Sequence, residues 1–147
     1  MKAPLEGVGE LDVVSQKAAM APPDLRQNER HVYVALCEAG APQKAYDLLE
    51  DLRDKGLRSP MTIYRALDSL MARGHVRKIE SINAFVPVRP DMSDQAMAFL
   101  ICKKCRRTKE VVLDGAHVTG LFEPLPVSVA DIHIEAFADC EDICADD

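Results

Sequence analysis

The clearest structural signal in this chain comes from residues 59–81, SPMTIYRALDSLMARGHVRKIES. Ser59 is a favoured type of helix N-cap, and Pro60 suits the first helical position, where its missing N–H costs nothing. Four apolar residues recur with helical spacing and share one face: Ile63, Ala66, Leu67 and Leu70. Gly74 is typical of the position that ends a helix. The segment therefore predicts a short amphipathic helix that begins after Ser59.

The opposite face of this helix carries side chains of a different kind. They are mostly polar: Met61, Thr62, Arg65 and Ser69, with Tyr64 at the edge. An exposed Arg flanked by Tyr and Thr on a capped helix suits contacts with the base edges and phosphates of nucleic acid. From periodicity alone, an ordinary amphipathic helix with a polar outer face is the simpler interpretation.

The sequence after the helix favours the nucleic-acid interpretation. Residues His75–Glu80 and Asn83–Val88 are predicted to form two short strands joined by Ser81 and Ile82. A helix followed at once by a β-hairpin is the element order of a winged helix-turn-helix.

These residues resemble the recognition helix and wing of the ferric uptake regulator family. The resemblance rests on TIYRAL at 62–67 and GHVRKIES at 74–81, with AYDLL at 45–49 resembling the preceding helix. The zinc uptake regulator branch is the most similar, over roughly residues 26–144. The resemblance implies a sequence-specific transcriptional repressor that controls zinc homeostasis genes.

Two further helices are predicted upstream of this segment. Asn28 is predicted to cap a helix at about 29–39, and a second helix is predicted at about 43–55, ended by Gly56. The inward residues of the first helix are predicted to include His31, Val34, Ala35 and Leu36. The buried stripe of the second helix is predicted to be Ala45, Leu48, Leu49 and Leu52.

The strongest chemical signal is two pairs of cysteines. Cys102 and Cys105 are separated by two residues and Cys140 and Cys144 by three, with 34 residues between the pairs. Paired thiolates at this kind of spacing bind a tetrahedral ion, and softness and geometry favour zinc. One structural zinc per chain is predicted, as the family resemblance also implies; the alternative is four cysteines with unrelated roles. The fifth cysteine, Cys37, is predicted to be a small buried side chain.

The whole chain is predicted to be α+β, with a DNA-binding part and a small α/β part. Residues 1–25 are predicted to be an N-terminal extension, 26–88 the winged helix-turn-helix domain, 89–95 a polar hinge and 96–147 a zinc-binding dimerisation domain. The last domain is predicted to contain strands and one helix: strands at 96–102, 108–113 and 131–137, and the helix at 114–123. Exposed sheet edges favour a homodimer, and the resemblance implies the same role for this domain.

Composition bounds the class of protein. The 147 residues are 48% hydrophobic and 29% charged, which is ordinary for a soluble globular protein. No apolar run approaches the ~20 residues that a membrane helix needs, and no signal peptide is seen, so a cytoplasmic protein without a membrane partner is predicted. The net charge of −6 is uneven: residues 22–90 hold 11 Lys and Arg against 9 Asp and Glu, whereas residues 91–147 hold 5 against 12. A DNA-binding part joined to an acidic second part fits this asymmetry.

The DNA partner is predicted to be a palindromic operator bound by the homodimer. Thr62, Tyr64 and Arg65 are predicted to lie in the major groove of each half-site. The other candidate contacts with DNA are Lys44, Tyr46 and Ser59. The alternatives are a solvated surface charge for Lys44 and packing against the wing for Tyr46.

The resemblance places the regulatory metal site of the zinc branch on residues that have largely lost ligand chemistry. Its ligand positions fall on Arg77, Val88 and Gln95. Only Glu110 keeps a ligand type, and Glu110 with His133 is the possible residual site for a second metal, which is left open. The hypothesis is constitutive DNA binding or a different input, with Arg77 replacing the cation by pairing with a carboxylate such as Glu110. Weaker candidates for a rebuilt metal site are His75, His117 and Glu135.

Two other functions stay open at this point. One is a redox-responsive regulator that releases zinc when its cysteines are oxidised. The other is a zinc-binding interaction protein that no longer binds DNA. An enzyme is not predicted, because the sequence offers no nucleophile–base pair, phosphate loop or open zinc centre.

Overall fold

Residues 21–88, 96–130 and 132–139 are described by the computed structural model of the chain. The predicted N-terminal extension up to residue 20 and the predicted hinge at 89–95 lie outside these ranges. The helices are α1 (Gln27–Ala39), α2 (Ala45–Asp51), α3 (Pro60–Ala72) and α4 (Gly115–Gly120). The strands are β1 (Val76–Ile79), β2 (Ala84–Pro87), β3 (Ala96–Cys102), β4 (Thr108–Leu113) and β5 (Ile134–Ala138).

The first three helices enclose a continuous apolar core. The predicted stripe of α3 is buried, as is the predicted stripe that runs from α2 to Leu52. α2 is followed by a 3₁₀ turn at Arg53–Lys55, so the regular α-helix is shorter than predicted. Gly56 ends this region at φ +92°, a left-handed backbone that glycine adopts without steric cost.

The inward face of α1 differs from the prediction. His31, Val34 and Ala35 are only partly buried. The predicted burial of Leu36 is confirmed, and the other buried residues of α1 are Glu29, Val32, Tyr33 and Cys37. These positions have helical spacing, but the stripe begins with a carboxylate, so apolar periodicity alone gave the wrong phase. The predicted burial of Cys37 is confirmed, since this side chain is 1% exposed.

β1 and β2 form the antiparallel wing directly after α3. Their register pairs Arg77 with Val86 and Ile79 with Ala84. The turn between them is a 3₁₀ helix, Glu80–Ile82, closed by Asn83 at φ +51°. The prediction that a β-hairpin directly follows the α3 helix is confirmed.

The C-terminal elements form a three-stranded sheet in the order β4-β3-β5. β4 is antiparallel to β3, and β5 is parallel to β3. The predicted strands 96–102 and 108–113 are confirmed with their bounds, whereas the predicted helix at 114–123 is reduced to α4. In the described part of the chain, no helix is both long and apolar enough to cross a membrane.

The wing is packed against this sheet. Ile79 and Val86 of the wing join three residues of β3 in one buried cluster: Met97, Phe99 and Ile101. Beside the cluster, the Ser81 backbone N–H donates to the Glu135 carboxylate, with N···O distances of 3.3 and 3.4 Å. The fold therefore fixes the wing relative to β3 and β5 by apolar contact and one hydrogen-bonded carboxylate.

Candidate nucleic-acid interface and metal site

The outer face of α3 presents the side chains predicted to read DNA. Met61 is 60% exposed and Tyr64 48% exposed. Arg65 is exposed and Thr62 is partly exposed. Large apolar and aromatic side chains that are exposed to solvent beside a guanidinium group are typical of a surface that binds a partner. The outer face of α3 therefore presents an exposed guanidinium group together with two large exposed side chains.

The start of α2 adds two exposed side chains. Tyr46 is 68% exposed, so the alternative that it packs against the wing is wrong. Lys44 is exposed and precedes the first helical residue, where its backbone N–H donates to Asp47 Oδ2 at 3.0 Å. The chain just before it is tied to the wing, because Gln43 and Phe85 exchange two backbone hydrogen bonds of 3.0 and 2.8 Å.

Ser59 stands at the N-cap position of α3, as predicted. Its carbonyl accepts the Thr62 N–H at 3.1 Å, and its side chain makes no capping hydrogen bond. The exposed Ser59 hydroxyl therefore does not cap the start of the helix. The contact of Ser59 with DNA stays a prediction.

A buried carboxylate positions α3, and it was not found from the sequence. Glu29 is 6% exposed, and its carboxylate accepts from Ser69 Oγ at 2.7 Å and from Arg73 Nη1 at 3.0 Å. It also accepts the Arg26 backbone N–H at 3.0 Å. Arg73 extends the network to the carboxylate of Asp24. α1 is thereby locked to the last two turns of the helix whose outer face carries Arg65.

The electrostatics of this network follow from its hydrogen bonds. The Ser69 hydroxyl and the Arg26 N–H lower the pKa of the Glu29 carboxyl, and the Arg73 charge adds to them, while burial opposes the shift. Glu29 is therefore ionised when folded. The sequence signals for it were the spacing of Ser69 on α3 and Arg73 just after it, and the single acidic residue in the first turn of α1, Glu29 itself.

The first cysteine pair lies in a tight turn between β3 and β4. Cys102 is buried and Cys105 is exposed. The Cys105 backbone N–H donates to Cys102 Sγ at 3.5 Å, and the Arg106 N–H donates to the Cys102 carbonyl at 3.1 Å. Arg106 adopts φ +64°, which turns the chain back into β4. An N–H aimed at a sulfur stabilises a thiolate, so this turn fits one half of a tetrahedral zinc site.

The second pair, Cys140 and Cys144, lies outside the described residues. The described residues that precede the second pair nevertheless lie next to the first pair, because β5 pairs with β3 so that Ala138 is opposite Cys102. The Lys103 N–H donates to the Ala138 carbonyl at 3.1 Å. Cys140 follows Ala138 by two residues in the sequence. A site that combines the two pairs is consistent with this register.

Comparison with solved structures decides the family. The crystal structure of holo XcZur is 34% identical to this chain, with a TM-score of 0.67, and the similarity covers 92% of this chain and 98% of that one. The chain belongs to the ferric uptake regulator family, in its zinc uptake regulator branch. A zinc uptake regulator solved with zinc and DNA is 29% identical, with a TM-score of 0.65, covering 92% and 94% of the two chains. The α+β fold class is thereby confirmed.

Other comparisons are partial or concern the fold alone. Zinc uptake regulation proteins of Escherichia coli (strain K12) and Shigella flexneri are 41% identical over 73 residues, which is 48% of this chain and 43% of theirs. The match thus spans less than half the length of these curated relatives. The ferric uptake regulator of Helicobacter pylori shares the fold, with a TM-score of 0.61, at 13% identity. No family model matches the chain.

Of the three positions onto which the resemblance places a regulatory metal site, Arg77 and Val88 are described and Gln95 lies outside the described residues. Val88 is buried, and its carbonyl accepts from the Tyr33 hydroxyl at 3.1 Å. The pairing of Arg77 with Glu110 or another carboxylate stays a prediction. Strand pairing places Arg77 in the wing opposite Val86 and Glu110 on β4 opposite Phe99.

The residual site Glu110 and His133 gains no further support. Both side chains are exposed, and His133 precedes β5. Across residues 21–88, 96–130 and 132–139, no three His, Cys, Asp or Glu side chains gather into a metal site. The carboxylate that does reach the wing is Glu135, through its contact with Ser81.

Proposed function

We propose that this chain is a sequence-specific DNA-binding transcriptional repressor of the zinc uptake regulator type, which controls zinc homeostasis genes. The observation that carries the proposal is the outer face of α3, where Tyr64 and Arg65 are exposed on a helix fixed by its buried side to α1 and α2. The solved complex of a related regulator with zinc and DNA supports it. A cytoplasmic location belongs to the same proposal.

In this proposal α3 enters the major groove and the flanking residues contact the phosphate backbone. Arg65 reads a guanine edge with two parallel hydrogen bonds, and Thr62 and Tyr64 contact neighbouring base edges. Lys44, Tyr46 and Ser59 contact phosphates, which sets the register of the helix on the duplex. Two such faces in a homodimer read the two halves of a palindrome.

The homodimer is supported by apolar side chains that the chain leaves exposed. They lie on or next to the C-terminal sheet: Val111, Val112, Leu121, Phe122 and Phe137. Val112 and Phe137 pair with β3 residues of the wing-facing cluster and Val111 does not, so apolar side chains are exposed on both faces of the sheet. Exposed apolar surface on an otherwise folded chain is typical of a protein–protein interface. Dimerisation through it would also cover the edges of a three-stranded sheet.

One structural zinc per chain is part of the proposal. Cys102 and Cys105 fit one side of its coordination sphere, and Cys140 and Cys144 are the residues proposed to complete it. Zinc bound there supplies a cross-link between the β3–β4 turn and the end of the chain after β5. The cysteines hold the ion, and the buried wing-facing side of β3 transmits the resulting rigidity to the wing.

The wing contact favours DNA binding that does not require a second, regulatory metal. Ile79 and Val86 pack on β3, and Glu135 accepts a hydrogen bond from the Ser81 N–H, so the wing is held by the chain's own side chains. Operator affinity of the protein with one zinc per chain is expected to stay flat as free zinc rises from strongly buffered to micromolar. Tightening by tenfold or more, about 1.4 kcal/mol of coupling, would show a second site and contradict this part of the proposal.

The direct test of base reading compares three proteins at fixed salt. Arg65→Ala removes both the positive charge and the planar guanidinium group, whereas Arg65→Lys keeps the charge but loses the planar group that can donate two parallel hydrogen bonds. Both are expected to lose discrimination between a palindromic operator and a scrambled duplex, by about 1–3 kcal/mol per lost bidentate contact. Unchanged operator affinity in Arg65→Ala would favour the alternative of a zinc-binding protein that has lost DNA binding.

The exposure of Cys105 favours one second candidate, a redox-responsive regulator. Peroxide would oxidise two zinc-bound thiolates to a disulfide, with two electrons passing to the peroxide and Zn²⁺ leaving. Zinc release that runs in parallel with loss of operator binding under peroxide would support this candidate. Retained zinc and retained operator binding would exclude it.

A further inference from the structure

A cleft lies between the helical part and the β3–β4 turn. Its volume is about 850 Å³, within the range of pockets that hold small molecules. Three segments line it: the chain around the start of α2, the wing turn at residues 81–84, and the turn at residues 105–109. The cleft therefore touches both the wing and the C-terminal sheet.

The charge that faces this cleft is strongly positive. Four cationic residues line it, from both sides: Lys44, Arg106, Arg107 and Lys109. The single lining carboxylate, Asp47, already accepts the Lys44 backbone N–H at 3.0 Å. This concentration stands out in a chain whose net charge is −6.

The basic residues of the β3–β4 turn form a longer run at 103–109, and Cys105 divides this run into two parts. A zinc ion with four thiolates keeps a net negative charge, which nearby lysines offset. Lys103 and Lys104 belong to the same turn but do not line the cleft, and Lys103 Nζ lies 3.8 Å from Asp139 Oδ1. Arg106, Arg107 and Lys109, which follow Cys105 in the sequence, line the cleft together with the wing turn. Charge compensation at zinc does not explain why they surround a cavity.

We propose that this cleft binds a phosphate group and thereby links the wing turn to the β3–β4 turn. Arg106 and Arg107 supply planar forks suited to phosphate oxygens, and the Ser81 and Thr108 hydroxyls line the same space. The phosphate belongs either to a small anionic metabolite or to the DNA backbone. The regulatory consequence rests on the proposed function: an anion held here stabilises the docked wing at the place where Ser81 meets Glu135.

The test uses the full chain with one zinc bound and pyrophosphate as the probe. Calorimetric titration without DNA, at constant ionic strength, is expected to show saturable binding. Arg106→Gln is expected to weaken it about tenfold or more, since a charge-assisted contact is lost, and Arg106→Lys to restore part of it. The matched control is Lys104→Gln, which removes one charge from the same turn outside the cleft and is expected to leave pyrophosphate affinity nearly unchanged.

A second titration identifies the source of the phosphate. If the DNA backbone fills the cleft, Arg106→Gln lowers the salt slope of duplex binding by about one and Lys104→Gln does not. The proposal is overturned if neither pyrophosphate binding nor the salt slope responds to Arg106→Gln, or if the two variants respond equally. Zinc content and melting temperature of each variant verify folding. Since the pyrophosphate arm contains no DNA, failure to find an operator would leave its result standing.

Discussion

The helical part of the chain and the C-terminal sheet complete their cores in different ways. α1, α2 and α3 bury a continuous cluster together with Val76 and Phe85 of the wing, and Ile63, Leu67 and Leu70 are fully covered in it. The sheet β4-β3-β5 buries β3, but the cluster on it is shared with Ile79 and Val86 of the wing. Val111, Val112 and Phe137 stay exposed. The sheet therefore depends on the wing, on the proposed zinc and on the proposed second copy, whereas the helices need only the wing to complete their core.

Removal of zinc is expected to affect the two parts of the chain most unequally. A structural zinc contributes on the order of 10 kcal/mol to the folding of a small module. Chelation is therefore expected to abolish hydrogen-exchange protection in β3 and β5 and to dissociate the dimer, while amides of α3 stay protected. Hydrogen exchange read out by mass spectrometry measures both parts in one sample. Protection of β3 that survives complete zinc removal would contradict the structural role of the ion.

Core substitutions compare the two parts directly. Leu67→Ala is expected to destabilise the helical part by about 2–5 kcal/mol, because the side chain is completely buried and leaves a cavity. Val111→Ala on the sheet is expected to change chain stability by no more than about 0.5 kcal/mol, since the side chain is 37% exposed. Val111→Ala is expected to weaken dimerisation instead. Chemical denaturation and sedimentation measure the two effects separately.

The Glu29 network tests what holds the recognition helix. Glu29→Gln is expected to cost about 1–3 kcal/mol, because it removes the charge that Ser69 and Arg73 contact. Its folded pKa is lowered, so its contribution is complete above the ordinary glutamate pKa and is lost as pH falls through the folded value. The wild type is therefore expected to lose stability on acidification more steeply than Glu29→Gln. Glu38→Gln, an exposed carboxylate of the same helix, is the control and keeps the wild-type profile.

Much of the helical part could be predicted because its signals are local. The N-cap residue, the apolar stripe of α3 and the glycine at the end of the α2 region are read from a few neighbouring residues. The phase of α1 could not be read this way, because the residue that begins its buried stripe is Glu29, and its partner Ser69 lies 40 positions away. A buried carboxylate is recognisable only once its donors are in place.

The sheet shows the same limit. The bounds of β3 and β4 followed from composition and alternation, but the β4-β3-β5 order and the contact of Glu135 with the wing depend on long-range pairing. The carboxylate that would pair with Arg77 cannot be chosen from the sequence for the same reason, since Arg77 and Glu110 lie in strands of different sheets. The cysteine spacing was informative because a single tight turn brings Cys102 and Cys105 together.

The smallest effect concerns the contact between wing and sheet. Glu135→Gln weakens the acceptor for the Ser81 N–H and is expected to reduce operator affinity by about 0.5–1.5 kcal/mol. The control Glu123→Gln removes an equal charge from an exposed site near α4 and corrects for weaker repulsion of DNA. Fluorescence anisotropy at fixed salt measures the difference. Equal affinities for the two variants would show that the apolar cluster alone holds the wing.

The central claim is that α3 reads a palindromic DNA sequence through Arg65. Its most direct test is selection of duplexes from a random-sequence library by the protein with one zinc per chain, in parallel with Arg65→Lys. We expect a palindromic consensus for the wild type and loss of a guanine from each half-site for the variant. A selection that enriches no consensus, or the same consensus for both proteins, would contradict it.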